Sequence, residues 1–193
     1  MQALHASGYN GRVNGIACLA ENMPGSGSYR PGDVFKTYSG KTVEVYSTDA
    51  EGRNVLADGL WKAGEFDPEY IVDLATLTGA IVVALGNQIT GMWSNDELLA
   101  ERLERSAKAC GEQMWRMPLN DQFRRYMTDT PFADIRNGSS GGRAGSSNGA
   151  AAFLEFFVPT RNYEEDTDKL PWVHLDIAGT AWGPGSKAGT ERE

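Results

Sequence analysis

The chain has 193 residues, 40% of them hydrophobic and 23% charged, and its 26 acidic and 18 basic residues give a formal net charge of −8. This length fits one domain with a sizeable core, and the composition excludes collagen, coiled-coil and disordered chains. Nucleic-acid binding is disfavoured because it needs a basic surface, and the longest apolar run, residues 80–85, is far shorter than the roughly 20 residues of a membrane-spanning helix.

Strand-like and helix-like segments alternate through the first half of the chain. Residues 13–20 are apolar with little alternation, which predicts a strand covered on both faces. Two short alternating runs, residues 33–36 and 42–46, predict a β-hairpin. A short helix is expected over residues 54–63, and residues 70–75 predict a buried strand.

The second half continues this alternation. The clearest helical pattern covers residues 96–110, with Ser94 or Asn95 as its N-cap. A helix of small residues is expected over 150–157, and residues 172–177 predict a last apolar strand. Strands that alternate with helices indicate an α/β fold, with a mixed, mostly parallel β-sheet between helices and at least one antiparallel edge.

Three further features have structural interpretations. The glycine-rich residues 138–149 could cradle a phosphate before a helix, but they lack a G-x-x-x-x-G-K-[ST] pattern, which favours a substrate-side or inter-subunit loop. Acidic residues 164–166 predict a solvated loop. His174 lies within a predicted strand and is expected to be a core histidine rather than a metal ligand.

The segment most suggestive of chemistry is residues 48–53, with the sequence TDAEGR. It leaves a predicted strand and enters a predicted helix, which is where open α/β sheets bind ligands. In an extended backbone Asp49 and Glu51 share one face, and a divalent cation would relieve their repulsion. Arg53 could then hold an anion beside the metal through two parallel hydrogen bonds. An exposed turn with a solvated acid pair has the same spacing, so spacing alone leaves both interpretations open.

The same segment resembles the N-T-D-A-E-G-R-L signature of the leucyl (cytosol) aminopeptidase family. The resemblance continues in order along nearly the whole chain, which no single chance motif could produce. The other stretches that carry it are residues 22–24, 29–34, 73–80, 83–86, 111–112, 115, 118–119, 133–134, 150–154 and 174–181.

This resemblance implies a metal-dependent exopeptidase that releases N-terminal amino acids, with a leucine-type preference, by attack of a water activated by two divalent ions, zinc or manganese. It also implies a three-layer fold like that of zinc exopeptidases. Asp49 and Glu51 match two of the family's metal ligands, and Arg53 matches the arginine that holds a bicarbonate as general base. The residues that match the lining of the bound peptide are Thr76, Leu77 and Gly79.

The chain also departs from the family pattern. Ser47 stands where the family usually has asparagine and Asn54 where it usually has leucine, although neither position is a metal ligand in the family. The family's other ligands, a lysine and two aspartates, and a second lysine that stabilises the transition state have no counterpart here. Two hard cations need roughly ten to twelve ligands in total. We therefore expect residues 1–193, without the family's N-terminal domain, to bind metal weakly and to be nearly inactive alone. The chain is then either a fragment of the catalytic domain of a longer enzyme or part of an assembly in which other chain segments complete the site.

The alternative is a catalytically silent relative that acts as an oligomerisation or regulatory module. Retention of Asp49, Glu51 and Arg53 favours the enzyme, because a silent scaffold has no physical need of them. The family resemblance implies peptide substrates and a homo-oligomer, a hexamer. The two cysteines, Cys18 and Cys110, are far apart and suit a reducing compartment, so we expect a cytoplasmic protein without nucleic-acid or membrane partners.

Overall fold

A computed structural model describes residues 2–161 and 168–182 of the chain. Within these residues the strands are β1 (Val34–Lys36), β2 (Thr42–Glu44), β3 (Ile71–Ala75), β4 (Thr90–Ser94), β5 (Met114–Arg116), β6 (Ile135–Arg136) and β7 (Trp172–Asp176). The α-helices are α1 (Gln2–Ala6), α2 (Glu51–Gly64), α3 (Gly79–Leu85), α4 (Glu97–Cys110), α5 (Asp121–Thr128) and α6 (Ser146–Glu155). The acidic loop expected at residues 164–166 lies outside the described residues.

The strands form two sheets with mixed strand directions. The larger sheet has the order β3-β7-β4-β5, in which β3 and β7 are parallel, β4 and β5 are parallel, and β4 and β7 are antiparallel. The smaller sheet has the order β1-β2-β6, with the predicted antiparallel hairpin of β1 and β2 and a parallel pairing of β2 with β6. The predicted fold class, α/β with a mixed, mostly parallel sheet and flanking helices, is confirmed.

The core is built around the central strand β7, all of whose residues are buried. Its neighbour on one side, helix α6, is buried along its whole length except for the first residue. Three consecutive alanines, residues 150–152, allow this helix to approach its neighbours closely, and Phe153 and Trp172 fill the space between the layers.

Helix α4 shows how side-chain competition selects an N-cap. The predicted caps, Ser94 and Asn95, are wrong, because the cap is Asp96, whose carboxylate accepts the Leu99 N–H at 2.7 Å. The Ser94 hydroxyl instead donates to a carbonyl oxygen of β7 at 2.7 Å, and the Asn95 amide donates to the carbonyl oxygen of Leu170. Both candidates are therefore engaged in fastening β4 to the segment that leads into β7.

The strand predicted over residues 13–20 is wrong. These residues form no strand, and Val13, Ile16 and Leu19 are exposed. A strand is stable only when its backbone groups pair with a neighbour, and this segment pairs with none of the described strands although it runs beside the free edge of β3. Helix α6 also differs from its prediction, since it begins at Ser146, four residues earlier than expected, inside the glycine-rich segment.

Among the described residues, no helix has the length and apolar character needed to cross a membrane.

Asp134, which directly precedes β6, binds the start of the neighbouring strand β2 and gives a pH-dependent prediction. Its carboxylate accepts hydrogen bonds from the Thr42 N–H at 2.8 Å and from the Thr42 hydroxyl at 2.7 Å. Both bonds lower the pKa of Asp134, and the backbone bond has the larger effect. A carboxylate with a lowered pKa stabilises the fold at pH values above its unfolded-state pKa of about 3.9. This stabilisation is lost as the pH falls through the pKa of the folded state.

We therefore expect the free energy of unfolding, measured by urea denaturation, to fall less between pH 6 and pH 3 in Asp134→Asn than in the wild type. The side chain is exposed, so the difference should stay below about 1 kcal/mol. Asp129→Asn, an exposed carboxylate that does not bridge these strands, is the control. An equal fall in wild type and Asp134→Asn would contradict the assignment.

Candidate metal and anion site at the start of helix α2

The carboxylates of the TDAEGR segment lie on a helical turn. Ser47 is extended, a 3-10 turn follows over Thr48–Ala50, and α2 begins at Glu51. The extended backbone expected here is wrong, and the helix predicted over residues 54–63 begins three residues earlier than expected. Asp49 is exposed on the 3-10 turn and Glu51 is half-buried in the first turn of α2. Both acids thus stand at a helix N-terminus, where the helix dipole favours negative charge.

Arg53 lies on the buried face of α2, two residues after Glu51. Its side chain is only 9% exposed, and its Nη1 donates to the carbonyl oxygen of Asn137 at 2.8 Å. Burial lowers the pKa of the guanidinium to about 10, while the charges of Asp176, Glu51 and Asp49 act in the opposite direction. The group is therefore charged at neutral pH. Its buried Nε has no hydrogen-bond partner within the described part of the chain, which fits a role in holding an anion.

The segment before the hairpin also reaches this site. The Asn22 side-chain amide donates to Glu51 Oε1 at 3.0 Å. Asn22 belongs to the 22–24 stretch that carries the family resemblance, and this contact gives it a local role in orienting the Glu51 carboxylate.

Asp176, at the end of β7, organises the turn between β3 and α3. The carboxylate is 1% exposed and accepts hydrogen bonds from the Leu77 N–H at 3.1 Å, the Ala178 N–H at 3.2 Å and the Thr78 hydroxyl at 2.6 Å. Thr78 also caps α3 and shares a 2.8 Å hydrogen bond with Ser147 of α6. One buried carboxylate therefore fixes the turn that carries Thr76, Leu77 and Gly79.

An open groove of about 1010 Å³ joins the start of α2 to this turn. Glu51, Thr76 and Leu77 all line it, together with residues of β3 and of the 9–18 segment. A Cβ placed on Gly52 would lie 3.7 Å from Leu77 Cδ1, so the two elements are in close contact. Asp49, Arg53 and Gly79 are not among the lining residues of this groove.

The described residues contain no cluster of three or more histidine, cysteine, aspartate or glutamate side chains able to hold a metal ion. Asp49 and Glu51 offer hard oxygen donors, the kind that divalent cations accept, but they form an incomplete ligand set. His174 is buried, as expected of a core histidine. Its Nδ1 lies 2.6 Å from Asp73 Oδ1, and its Nε2 has no hydrogen-bond partner in residues 2–161 and 168–182.

Two site residues escaped sequence reasoning, Asp176 and Asn137. Asp176 carried a usable signal, since it is the one acid in the apolar run WVHLDI. Asn137 carried none, because a single asparagine after a two-residue strand is ordinary loop composition.

Comparisons with known proteins test the resemblance directly. The catalytic-domain model of the cytosol aminopeptidase family matches residues 1–193. The chain belongs to the cytosol aminopeptidase family. A probable cytosol aminopeptidase of Chelativorans sp. (strain BNC1) is 49% identical over 184 residues, which cover 95% of this chain and 35% of the relative. Another probable cytosol aminopeptidase, from Cenarchaeum symbiosum (strain A), is 51% identical over 171 residues, 88% of this chain and 33% of the relative.

The fold agrees with this cytosol aminopeptidase assignment. A solved structure of a tomato leucine aminopeptidase mutant superposes with a TM-score of 0.76 at 41% identity, covering 84% of this chain and 30% of the tomato chain. The chain spans about a third of the length of the curated relatives it matches.

Asn54, which departs from the cytosol aminopeptidase pattern, is a candidate for stabilisation. It is buried on α2, and its side-chain amide has no hydrogen bond of normal geometry within the described residues, although it lies close enough to Tyr29 to lower the pKa of that hydroxyl against the larger effect of burial, which raises it. An unsatisfied buried polar group costs about 1–3 kcal/mol. We expect Asn54→Leu to raise the free energy of unfolding by about 1 kcal/mol in urea denaturation.

The control is Asn87→Leu, at an exposed asparagine, which should give no gain. A loss of stability in Asn54→Leu would show that the amide is satisfied in solution.

Proposed function

We propose that the protein containing this chain is a metal-dependent aminopeptidase that releases N-terminal amino acids from peptides, with a leucine-type preference. The proposal is supported by two acids, Asp49 and Glu51, and a buried cation, Arg53, that lie close in sequence at the start of one helix, where Glu51 lines a groove. Membership of the cytosol aminopeptidase family supports the same reaction class.

Asp49 and Glu51 would hold divalent metal ions, zinc or manganese. Their oxygen donors fit such ions. When bound, a pair of such ions would polarise the scissile carbonyl and activate water. The Asn22 amide restrains the Glu51 carboxylate by its 3.0 Å hydrogen bond, which limits the rotation of that ligand.

Arg53 would hold a bicarbonate that serves as general base. Burial removes water from the guanidinium, and its Nε, which has no hydrogen-bond partner among the residues that the structure describes, can donate a hydrogen bond to an oxyanion. The neighbouring carboxylates keep the guanidinium protonated, because their negative charge opposes the effect of burial on its pKa.

The turn that carries Thr76, Leu77 and Gly79 would line the bound peptide. Leu77 is fixed through its N–H to Asp176 and lies against Gly52, next to the proposed ligand Glu51. An apolar side chain at this place suits an apolar N-terminal residue of the substrate, as a leucine-type preference requires.

We further propose that residues 1–193 form part of a catalytic domain whose metal site is completed by other parts of a longer protein. Two carboxylates supply four oxygens, fewer than the roughly ten to twelve ligands that two cations need. The described residues hold no larger donor cluster, and the relatives are about three times as long. A cytoplasmic homo-oligomer, a hexamer, is proposed on the family resemblance alone.

A chimera tests the proposed function. In it this chain replaces the matching 184-residue region of the Chelativorans relative, and leucine release from a leucyl peptide is measured with added Mn²⁺. We expect the chimera to hydrolyse the peptide and the isolated 193-residue chain to be nearly inactive.

Two results would contradict the proposal. A folded chimera without peptidase activity would favour the silent oligomerisation or regulatory module. Full activity of the isolated chain would show that Asp49 and Glu51 do not need further ligands from outside.

A further inference from the structure

Asn137 is a buried side chain to which the proposed mechanism gives no role. It follows β6 directly and is 0% exposed. Because β6 runs parallel to β2, the carboxyl ends of these two strands lie side by side, and the Asn137 N–H continues the pairing by donating to the carbonyl oxygen of Glu44 at 3.0 Å. Asn137 thus lies beside the residues that lead from β2 into the TDAEGR turn.

The Asn137 side chain binds this turn at both of its ends. Its Oδ1 accepts the N–H groups of Tyr46 at 2.8 Å and Ser47 at 3.1 Å. Its Nδ2 donates to the carbonyl oxygens of Ser47 at 2.9 Å and Ala50 at 3.5 Å. A single amide therefore closes around the 3-10 turn that carries Asp49 and leads into Glu51.

The main chain of Asn137 makes the connection to the anion-binding side. Its carbonyl oxygen accepts the hydrogen bond from Arg53 Nη1 at 2.8 Å. This bond fixes one edge of the guanidinium and leaves Nε without a partner in the described structure. The cation–π contact of Arg136 with the Tyr46 ring, 3.8 Å from the ring centroid, adds a second fastening between β6 and the start of the turn.

We propose that Asn137 is the positioning residue of the site: it sets the backbone from which Asp49 and Glu51 bind metal and the orientation of the Arg53 guanidinium. This inference rests on the proposed function. Its bonds end on the backbone of the ligand-bearing turn and on Arg53, so loss of the amide changes ligand geometry. Groups that orient metal ligands typically change metal affinity 10- to 100-fold when removed.

The experiment uses the full 193-residue chain and Mn²⁺ as the probe. Paramagnetic broadening of the backbone NMR signals of Asp49, Ala50 and Glu51 is titrated in the wild type and in Asn137→Ala, and it detects even weak binding. We expect Asn137→Ala to weaken the apparent Mn²⁺ affinity at this turn by about tenfold or more.

The matched control is Asn148→Ala. Asn148 is also a buried asparagine, and its Oδ1 accepts the Trp93 Nε1–H at 3.0 Å, away from the turn. Both variants should lose stability through an unpaired buried group, but Asn148→Ala should bind Mn²⁺ as the wild type does. Equal weakening in both variants, or none in Asn137→Ala, would overturn the inference.

Two further outcomes are decisive. If Asn137→Ala does not fold, Asn137→Ser replaces it. This variant removes the amide that binds both ends of the turn without adding a charge near the cation, so Mn²⁺ affinity should fall about tenfold, and unchanged affinity overturns the inference. If the wild-type signals at this turn do not respond to Mn²⁺, the proposed metal site itself is contradicted, and the inference with it.

Discussion

Replacement of Glu51 by glutamine in the chimera is expected to lower Mn²⁺-dependent leucine release by about 100-fold or more. The change keeps the shape of the side chain and its hydrogen-bonding contact with Asn22, but it removes one of the two carboxylates proposed as metal ligands. Metal ions contribute several kcal/mol to transition-state stabilisation, and each 1.4 kcal/mol corresponds to about tenfold in rate. Initial rates at a series of Mn²⁺ concentrations measure the effect.

Asp58→Asn is the matched control for this prediction. Asp58 is an exposed acid on the same helix, and an asparagine there can still accept the Tyr38 N–H that Asp58 Oδ1 binds at 2.8 Å. Its activity should stay within about twofold of the unmodified chimera, because it changes only the charge of an exposed face. A Glu51→Gln chimera as active as the Asp58→Asn chimera would remove Glu51 from the site.

Replacement of Asp176 by alanine is expected to lower the free energy of unfolding by about 3 kcal/mol. The change leaves the N–H groups of Leu77 and Ala178 and the hydroxyl of Thr78 without their buried acceptor, and hydrogen bonds to a charged group contribute about 1.5–3 kcal/mol each. Partial compensation by Ser147, which already contacts Thr78, keeps the loss below the full sum. Urea denaturation measures it.

Asp168→Ala provides the comparison for Asp176. The Asp168 side chain is 68% exposed and lies 3.9 Å from Arg161, so its loss should change the free energy of unfolding by no more than about 0.5 kcal/mol. The loss of unfolding free energy in Asp176→Asn should lie between those of Asp176→Ala and Asp168→Ala, because asparagine keeps an acceptor for the two N–H groups. A loss below about 1 kcal/mol in Asp176→Ala would show that the turn holds itself by other contacts.

The elements that sequence patterns predicted well are those whose pattern reports burial directly. The hairpin of β1 and β2 is predictable because apolar and polar residues alternate in its sequence. The structure shows the same alternation, since Val43 and Val45 are buried and Tyr46 is exposed. Strand β7 was predicted because every residue of the run is buried. Strand β4, in contrast, has the sequence TGMWS, which lacks the β-branched run that marks a buried strand, and tertiary packing alone makes it one.

Residues 13–20 show the opposite case, in which an apolar pattern was not enough. The pattern of apolar residues shows only that a segment could be buried if another strand paired with it. None of the described strands pairs with residues 13–20. The result is an apolar segment whose Leu19 is 87% exposed.

The residue types proposed for the candidate site can be chosen from the sequence, but their geometry cannot. The charges of the acids and of Arg53, together with their match to the family signature, mark them as candidates. The conformation of their backbone could not be predicted, because the 3-10 turn at Thr48–Ala50 forms hydrogen bonds with Asn137, which is 90 residues away from Ser47 in the chain. Contacts between residues so far apart in the chain leave no local sequence signal. The same is true of the hydrogen bond that the Leu77 N–H donates to Asp176 across 99 residues.

The most direct measurement of the central claim is the anomalous scattering of a crystal of the chimera soaked in Mn²⁺. We expect an anomalous peak at the start of α2 within coordination distance of carboxylate oxygens of both Asp49 and Glu51. A folded chimera whose anomalous peaks lie elsewhere, with both carboxylates directed into solvent, would contradict the account.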